Sequence, residues 1–153
     1  MISLKSTLSS LLLCAAVAAC GGSDTFVPRE VLATRMQAFW PATNLQQKYT
    51  VRSDDEWQRV WLAHEPQTFP KTEQPRVDFS RKMIVGLTEG VGSNGCYGMS
   101  IRRVIEEEDQ LRVEYISIVP PPFTICTQAI VALTDFVIVD RFDKRVVFVQ
   151  AGV

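Results

Sequence analysis

Few residues in this chain have a type and spacing that could do chemistry. Gly90-Val91-Gly92-Ser93-Asn94-Gly95 has the literal G-x-G-x-x-G spacing that cradles a dinucleotide pyrophosphate. That fingerprint requires a helix directly after its glycines, and Met99 to Gln110 fits two patterns. Ile101, Val104 and Ile105 fit a helix, whereas Met99, Ile101 and Ile105 fit a strand with Arg103 as an exception. His64 is the only histidine, at i+7 behind Trp57, Val60 and Trp61, where packing or stabilising the helix dipole is a commoner role than general base. Glu106-Glu107-Glu108-Asp109 lacks the alternating oxygens and the glycine of a calcium loop and reads as a solvated turn. Pro120-Pro121-Pro122-Phe123 has polyproline-ligand character but reads first as a strand terminator with Phe123 packed behind it. Together these residues predict no enzyme, no cofactor and no metal.

The segment before the glycines says more about address than about chemistry. Lys5 is a positive n-region, Leu8 to Val17 an apolar h-region, and Val17-Ala18-Ala19 a small-residue cleavage site directly before Cys20. This looks like a bacterial lipobox, so residues 1–19 are read as a lipoprotein signal peptide and Cys20 as the lipidated residue. Two or three acyl chains give stable anchoring where one is marginal, because each buried methylene contributes about 0.8 kcal/mol. Gly21 rather than Asp after Cys20 favours the outer membrane, by resemblance to enterobacterial sorting. An ordinary secretory signal is the alternative. The apolar core is too short for a spanning helix.

What remains is a tether, residues 20–26, and one domain, residues 27–153, long enough for a single core. Of 16 Lys and Arg and 17 Asp and Glu, only Lys5 leaves with the signal, taking the formal net charge from −1 to about −2. That balance, without a Lys/Arg cluster, argues against nucleic acid. Of the four cysteines, Cys14 leaves with the signal and Cys20 is acylated, so Cys96 and Cys126 meet an oxidising periplasm as a pair. A disulfide between them is expected, worth roughly 3 to 4 kcal/mol in the chain-entropy model. The alternatives are a metal pair or a reactive thiol, and a single histidine argues against zinc.

The elements that must position these residues follow from the local pattern. Ser53-Asp54-Asp55-Glu56 is a capping box, Trp57, Val60, Trp61 and His64 form one apolar stripe, and Pro66 ends the helix. Val31 to Met36 and Gln47 to Val51 are short strand candidates around a turn at Pro41 to Asn44. Val77 to Phe79, Met83 to Leu87, Leu111 to Val119, Ile130 to Val139 and Arg145 to Val149 are β-like runs, the last two flanking a turn at Asp140 to Lys144. Five to seven strands with one short helix packed on them predict an α+β domain with a mainly antiparallel sheet; the alternative is a β-sandwich.

The order of several short motifs resembles the PrcB-type domain family, named for a component of a spirochaete surface protease complex. The motifs are Asp55-Glu56-Trp57 with Trp61, Val77 to Gly86, Gly95-Cys96-Tyr97-Gly98-Met99-Ser100-Ile101, Leu111-Arg112-Val113, Pro120 to Pro122, Thr134 to Arg141 and Val146-Val147-Phe148. The resemblance spans roughly Asp55 to Phe148. It implies a strand from Met99 onward, a hairpin turn at Glu106 to Gln110, and loosely a partner-binding or assembly role beside a protease, without catalytic residues. Two departures stand out. Cys96 replaces the second glycine of the family's Thr-Gly-Gly-Tyr motif, which supports pairing with Cys126. Leu133-Thr134-Asp135-Phe136 replaces Thr-x-Pro-Phe, which puts a family-specific turn there in doubt.

Two functions follow as expectations. The first is a lipid-anchored envelope protein that binds another envelope protein through loops around Gly90 to Gly98 and Pro120 to Cys126, with Gly92, Asn94, Gly95, Tyr97 and Phe123 as interaction residues. The second is an inhibitor or regulator of an envelope protease using the glycine-rich loop, which is similar, more faintly, to the inhibitory loop of chagasin-like inhibitors. For Gly90 to Gly98 itself, packing is favoured over recognition.

Overall fold

The computed structural model describes residues 26–36, 39–64 and 72–152. The signal segment with Cys20, and Pro66 as helix terminator, lie outside these residues. Among the described residues eight strands form two sheets. One has the order β2-β7-β4-β3, with β2 at Thr34–Arg35, β3 at Gln47–Val51, β4 at Lys82–Gly92 and β7 at Val131–Asp140, all antiparallel. The other has the order β1-β5-β6-β8, with β1 at Arg29–Glu30, β5 at Gly98–Glu106, β6 at Gln110–Ile118 and β8 at Arg145–Gln150. Only β6 and β8 run parallel. The strand number exceeds the expected five to seven by one; β1, two residues long, was not among the candidates, and only Thr34 and Arg35 of the Val31 to Met36 candidate form a strand, β2. The architecture is α+β and mainly antiparallel.

The two sheets pack face to face. Met83, Val85 and Leu87 of β4 with Val137 and Val139 of β7 meet Ile101 and Val104 of β5 and Leu111, Val113 and Tyr115 of β6. The opposite face of β4 and β7 is covered by helix α1, Asp54–Ala63, giving a third layer. Strand β4 is therefore buried on both faces, which explains why Met83 to Leu87 is apolar without alternation. Gly86 faces the Phe136 ring, and a Cβ there would lie 2.8 Å from Phe136 Cγ and closer still to the ring edge. Phe39 packs edge-on to Trp57, Trp61 and Phe136 at 5.9, 5.4 and 4.9 Å between ring centroids.

Helix α1 begins as its capping residues require. The Glu56 amide donates to Ser53 Oγ at 3.3 Å, and the Glu56 carboxylate reaches back to the Arg52 amide at 2.7 Å, one residue before the usual capping-box partner. Trp57 and Trp61 are buried, and His64 is the C-cap.

The structure settles the ambiguous segment as strand β5. The register shifts between Ile101 and Arg103, so Arg102 is the extra residue of a β-bulge. The bulge brings Ile101 and Val104, three apart, onto the same buried face and thereby imitates a helical spacing. Three other expectations are corrected. Val77 to Phe79 is not a strand, because Asp78 Oδ1 accepts from the Ser80 amide at 3.1 Å and folds the chain into a turn before β4. The acidic run is not simply solvated. Glu106 is buried at 8 % exposure and ion-pairs with Arg29 at 2.7 Å and Lys144 at 2.9 Å, while Glu107 pairs with Arg112 at 2.6 Å. The Lys144 hydrogen bond chiefly, then that of Arg29, holds the Glu106 carboxyl below its ordinary range. The expected turn at Asp140 to Lys144 is a crossing between the two sheets, held by Arg141 Nη1 on the Phe79 carbonyl at 2.6 Å and Arg52 Nη2 on the Lys144 carbonyl at 2.8 Å.

Candidate interaction site

Four strands end at one pole of the sandwich: β4 at Gly92, β5 from Gly98, β6 at Ile118 and β7 from Val131. Their connections, residues 93–97 and 119–130, are joined by the Cys96–Cys126 disulfide, with Cα atoms 5.6 Å apart across a separation of 30 residues. The Gly95 amide donates to the Thr127 carbonyl at 2.9 Å, adding a backbone bond beside the bridge. Behind the pole, Asp135 Oδ2 accepts from Arg35 Nη1 at 2.6 Å and from the Ile101 amide at 2.8 Å, clasping β7 to β5. Burial pushes the Asp135 carboxyl up, opposed by the Ile101 bond and the Arg35 charge. Leu133 to Phe136 lies inside β7, so this chain has a strand there and no turn.

The glycines of this connection sit where neighbours approach closely, while Val91, Ser93 and Gly95 themselves are exposed. Gly90 has φ +88°, in the left-handed region, and passes over Asn44, whose Cα would stand 2.7 Å from an added Cβ. A Cβ on Gly92 would meet Val131 Cγ2 at 2.8 Å and Tyr97 Cβ closer still, and one on Gly95 would collide with the Thr127 hydroxyl. Asn94 builds the turn itself, its Oδ1 accepting from the Cys96 amide at 3.1 Å and its carbonyl from the Tyr97 amide at 3.3 Å. Tyr97 is half-buried, set against Gly92. Strand β5, not a helix, follows Gly98, so the G-x-G-x-x-G spacing lacks the helix N-terminus that would receive a pyrophosphate.

Of the two expectations for Phe123, packing behind the prolines is overturned. Pro120 does follow the end of β6, but Phe123 is not packed behind the prolines: it is 102 % exposed at φ +68°. Thr124 fixes that turn, its hydroxyl donating to the Pro121 carbonyl at 2.7 Å. A bulky residue in the left-handed region is strained, and such strain clusters at functional sites. Ile125 beside it is 98 % exposed, Val119 69 % and Ile130 65 %. The sequence reading missed these last three. The available signal was charge: neither 90–101 nor 115–134 contains an Asp, Glu, Lys, Arg or His.

His64 belongs to the core. It is 1 % exposed, with Nε2 2.7 Å from the Tyr49 hydroxyl and Nδ1 3.2 Å from the Ala42 amide. Nδ1 also lies 3.0 Å from the Trp40 carbonyl, so the two tautomers exchange donor and acceptor along this chain: Nδ1–H donates to Trp40 with Tyr49 donating to Nε2, or Nε2–H donates to Tyr49, which donates to Gln47 Oε1, with the Ala42 amide donating to Nδ1. Burial pushes the His64 pKa down, partly offset by the Trp40 carbonyl. Among the described residues no group of three or more His, Cys, Asp and Glu is placed to hold a metal ion. No described helix is long and apolar enough to cross a membrane. No family model, curated protein or solved structure matches the chain.

Proposed function

We propose that this chain is a lipid-anchored envelope protein of PrcB type, held in the outer membrane through Cys20 and facing the periplasm, where it binds another envelope protein as an assembly module. The observation that carries the reading is the apolar rim of the disulfide-linked pole, where Phe123 and Ile125 stand almost wholly in solvent. Two side chains of this kind, held by a bridge and a tight turn, supply anchor area at little ordering cost. Protease inhibition through the glycine-rich loop is the weaker reading, because Gly92 is buried against Tyr97 and Val131 and Tyr97 is half-buried, whereas Phe123 stands wholly exposed.

Affinity capture of the acylated protein from crosslinked cells tests the proposal, with Cys20→Ser as the unanchored control. A specific protein partner that is retained by the anchored form supports it, and recovery of no protein partner contradicts it. An envelope protease whose activity falls when pure protein is added would move the assignment to the inhibitor.

A further inference from the structure

The pole has a polarity that bears on what docks there. Strand β5 runs from the disulfide-linked pole at Gly98 to Glu106, which pairs with Arg29 of β1 at the opposite end. Eight steps of about 3.3 Å put the two ends about 26 Å apart. The chain therefore enters the domain, three residues before Arg29, at the pole opposite Phe123 and Ile125. That entry pole holds the Glu106, Lys144 and Arg29 ion pairs, whereas 90–101 and 115–134 hold no charge at all in a chain that is 22 % charged. Glu89 stands at the boundary, its carboxylate taken by Ser117 Oγ at 2.6 Å and Gln46 Nε2 at 3.0 Å.

We infer that the disulfide-linked pole points away from the anchoring membrane and docks an uncharged, apolar segment of a second protein, resting on the binding-module reading above. Two observations separate this occupant from a bilayer. Interfacial membrane binders pair apolar side chains with Lys or Arg facing the headgroups, and segments 90–101 and 115–134, which form this pole among the described residues, contain no Lys or Arg. An anchor entering at the far end also directs the pole outward. The absence of charge selects the partner in turn, because a charged segment would be desolvated here with nothing to pair it. Val119, Phe123, Ile125 and Ile130 are the contact residues, and the disulfide keeps the two connections that carry them in one shape.

The test uses the full-length acylated protein in intact envelopes, with a photo-reactive phenylalanine analogue at position 123 or, on the exposed face of α1, at position 62. The expected result is a protein crosslink from position 123 that maps by mass spectrometry to a stretch without Asp, Glu, Lys or Arg. Its yield changes less than about twofold between low and high salt, since no ion pair is screened. It falls at least about tenfold when Val119→Ser and Ile125→Ser are added. Thiol alkylation and a thermal melt check that those variants keep the bridge and the fold. Crosslinks from position 123 to lipid, to a second copy of this chain or to a charged segment overturn the inference. Trapping of a protein from position 62 alone overturns it while leaving the binding-module reading standing, and no protein from either position overturns both.

Discussion

Replacing Cys96 and Cys126 together by Ala lowers the free energy of unfolding by about 3 to 4 kcal/mol. The magnitude comes from the separation of 30 residues, which fixes the loop entropy that the bridge removes from the unfolded chain. The native state changes little, because the β5–β6 hairpin closes most of that loop by itself and the Gly95 to Thr127 backbone bond persists. The effect therefore acts on the denatured ensemble, which becomes more expanded, so the urea m-value rises slightly as the midpoint falls. For a domain of this size the melting temperature drops by about 10 to 20 °C. Urea titrations followed by the fluorescence of Trp57 and Trp61, both buried in the core, compare wild type with the variant. A loss below about 1 kcal/mol would refute the reasoning, as would an unchanged midpoint for wild type fully reduced under the same conditions.

Three further perturbations have definite outcomes. Gly86→Ala drives a methyl into the Phe136 ring and costs about 1 to 3 kcal/mol by denaturation, with partial recovery when Phe136→Leu is added; equal losses in both backgrounds would contradict the packing described. Phe123→Gly relieves a left-handed backbone at a side chain with no native burial, so it raises stability by up to about 1 kcal/mol while weakening docking; a loss above about 1 kcal/mol would mean that Phe123 packs. The lowered folded pKa of His64 makes its contribution present above about pH 6.5 and lost as pH falls through that lowered value. Stability measured from pH 7 down to about pH 5 therefore declines for wild type and less steeply for His64→Gln, above the range in which Glu106 begins to contribute; parallel slopes would contradict the burial of a neutral imidazole.

Local signals carried much of this fold. Ser53 and Glu56 announced the helix start, and the stripe of Trp57 and Trp61 announced its buried face, because capping and amphipathicity act within one or two turns. The pairing of Cys96 with Cys126 was expected from the cysteine count together with the lipoprotein reading of residues 1–20. What local reasoning could not reach depends on partners distant in sequence. The bulge at Arg102 places Ile101 and Val104 on one face and so mimics a helix, a tie broken only by β6 alongside. Strands β7 and β8, five residues apart across Asp140 to Lys144, enter different sheets, and β8 joins β6 in parallel because Val146 and Phe148 find the inter-sheet core. His64 was legible as packed, yet its partners at Ala42 and Tyr49 lie on separate elements.

The candidate site was half legible. The two connections were named from the sequence, with Phe123 among the interaction residues; the structure adds that Gly92, Asn94 and Tyr97 form the turn and its packing and that Ile125, Val119 and Ile130 are exposed in the same connection as Phe123. The prolines misled, since a strand terminator is normally followed by a residue that returns to the core. Here the Thr124 hydroxyl closes the turn on Pro121 and sends the aromatic ring outward.

The central claim is that the disulfide-linked pole is covered in the cell by another protein. Hydroxyl-radical footprinting of intact envelopes against the purified, acylated chain measures this directly through side-chain labelling at Phe123 and Ile125. The account predicts strong labelling of both in the purified protein and protection in the envelope, with Leu62 on α1 and Leu32 beside β2 labelled equally in the two. Equal labelling of Phe123 and Ile125 in both preparations would contradict it.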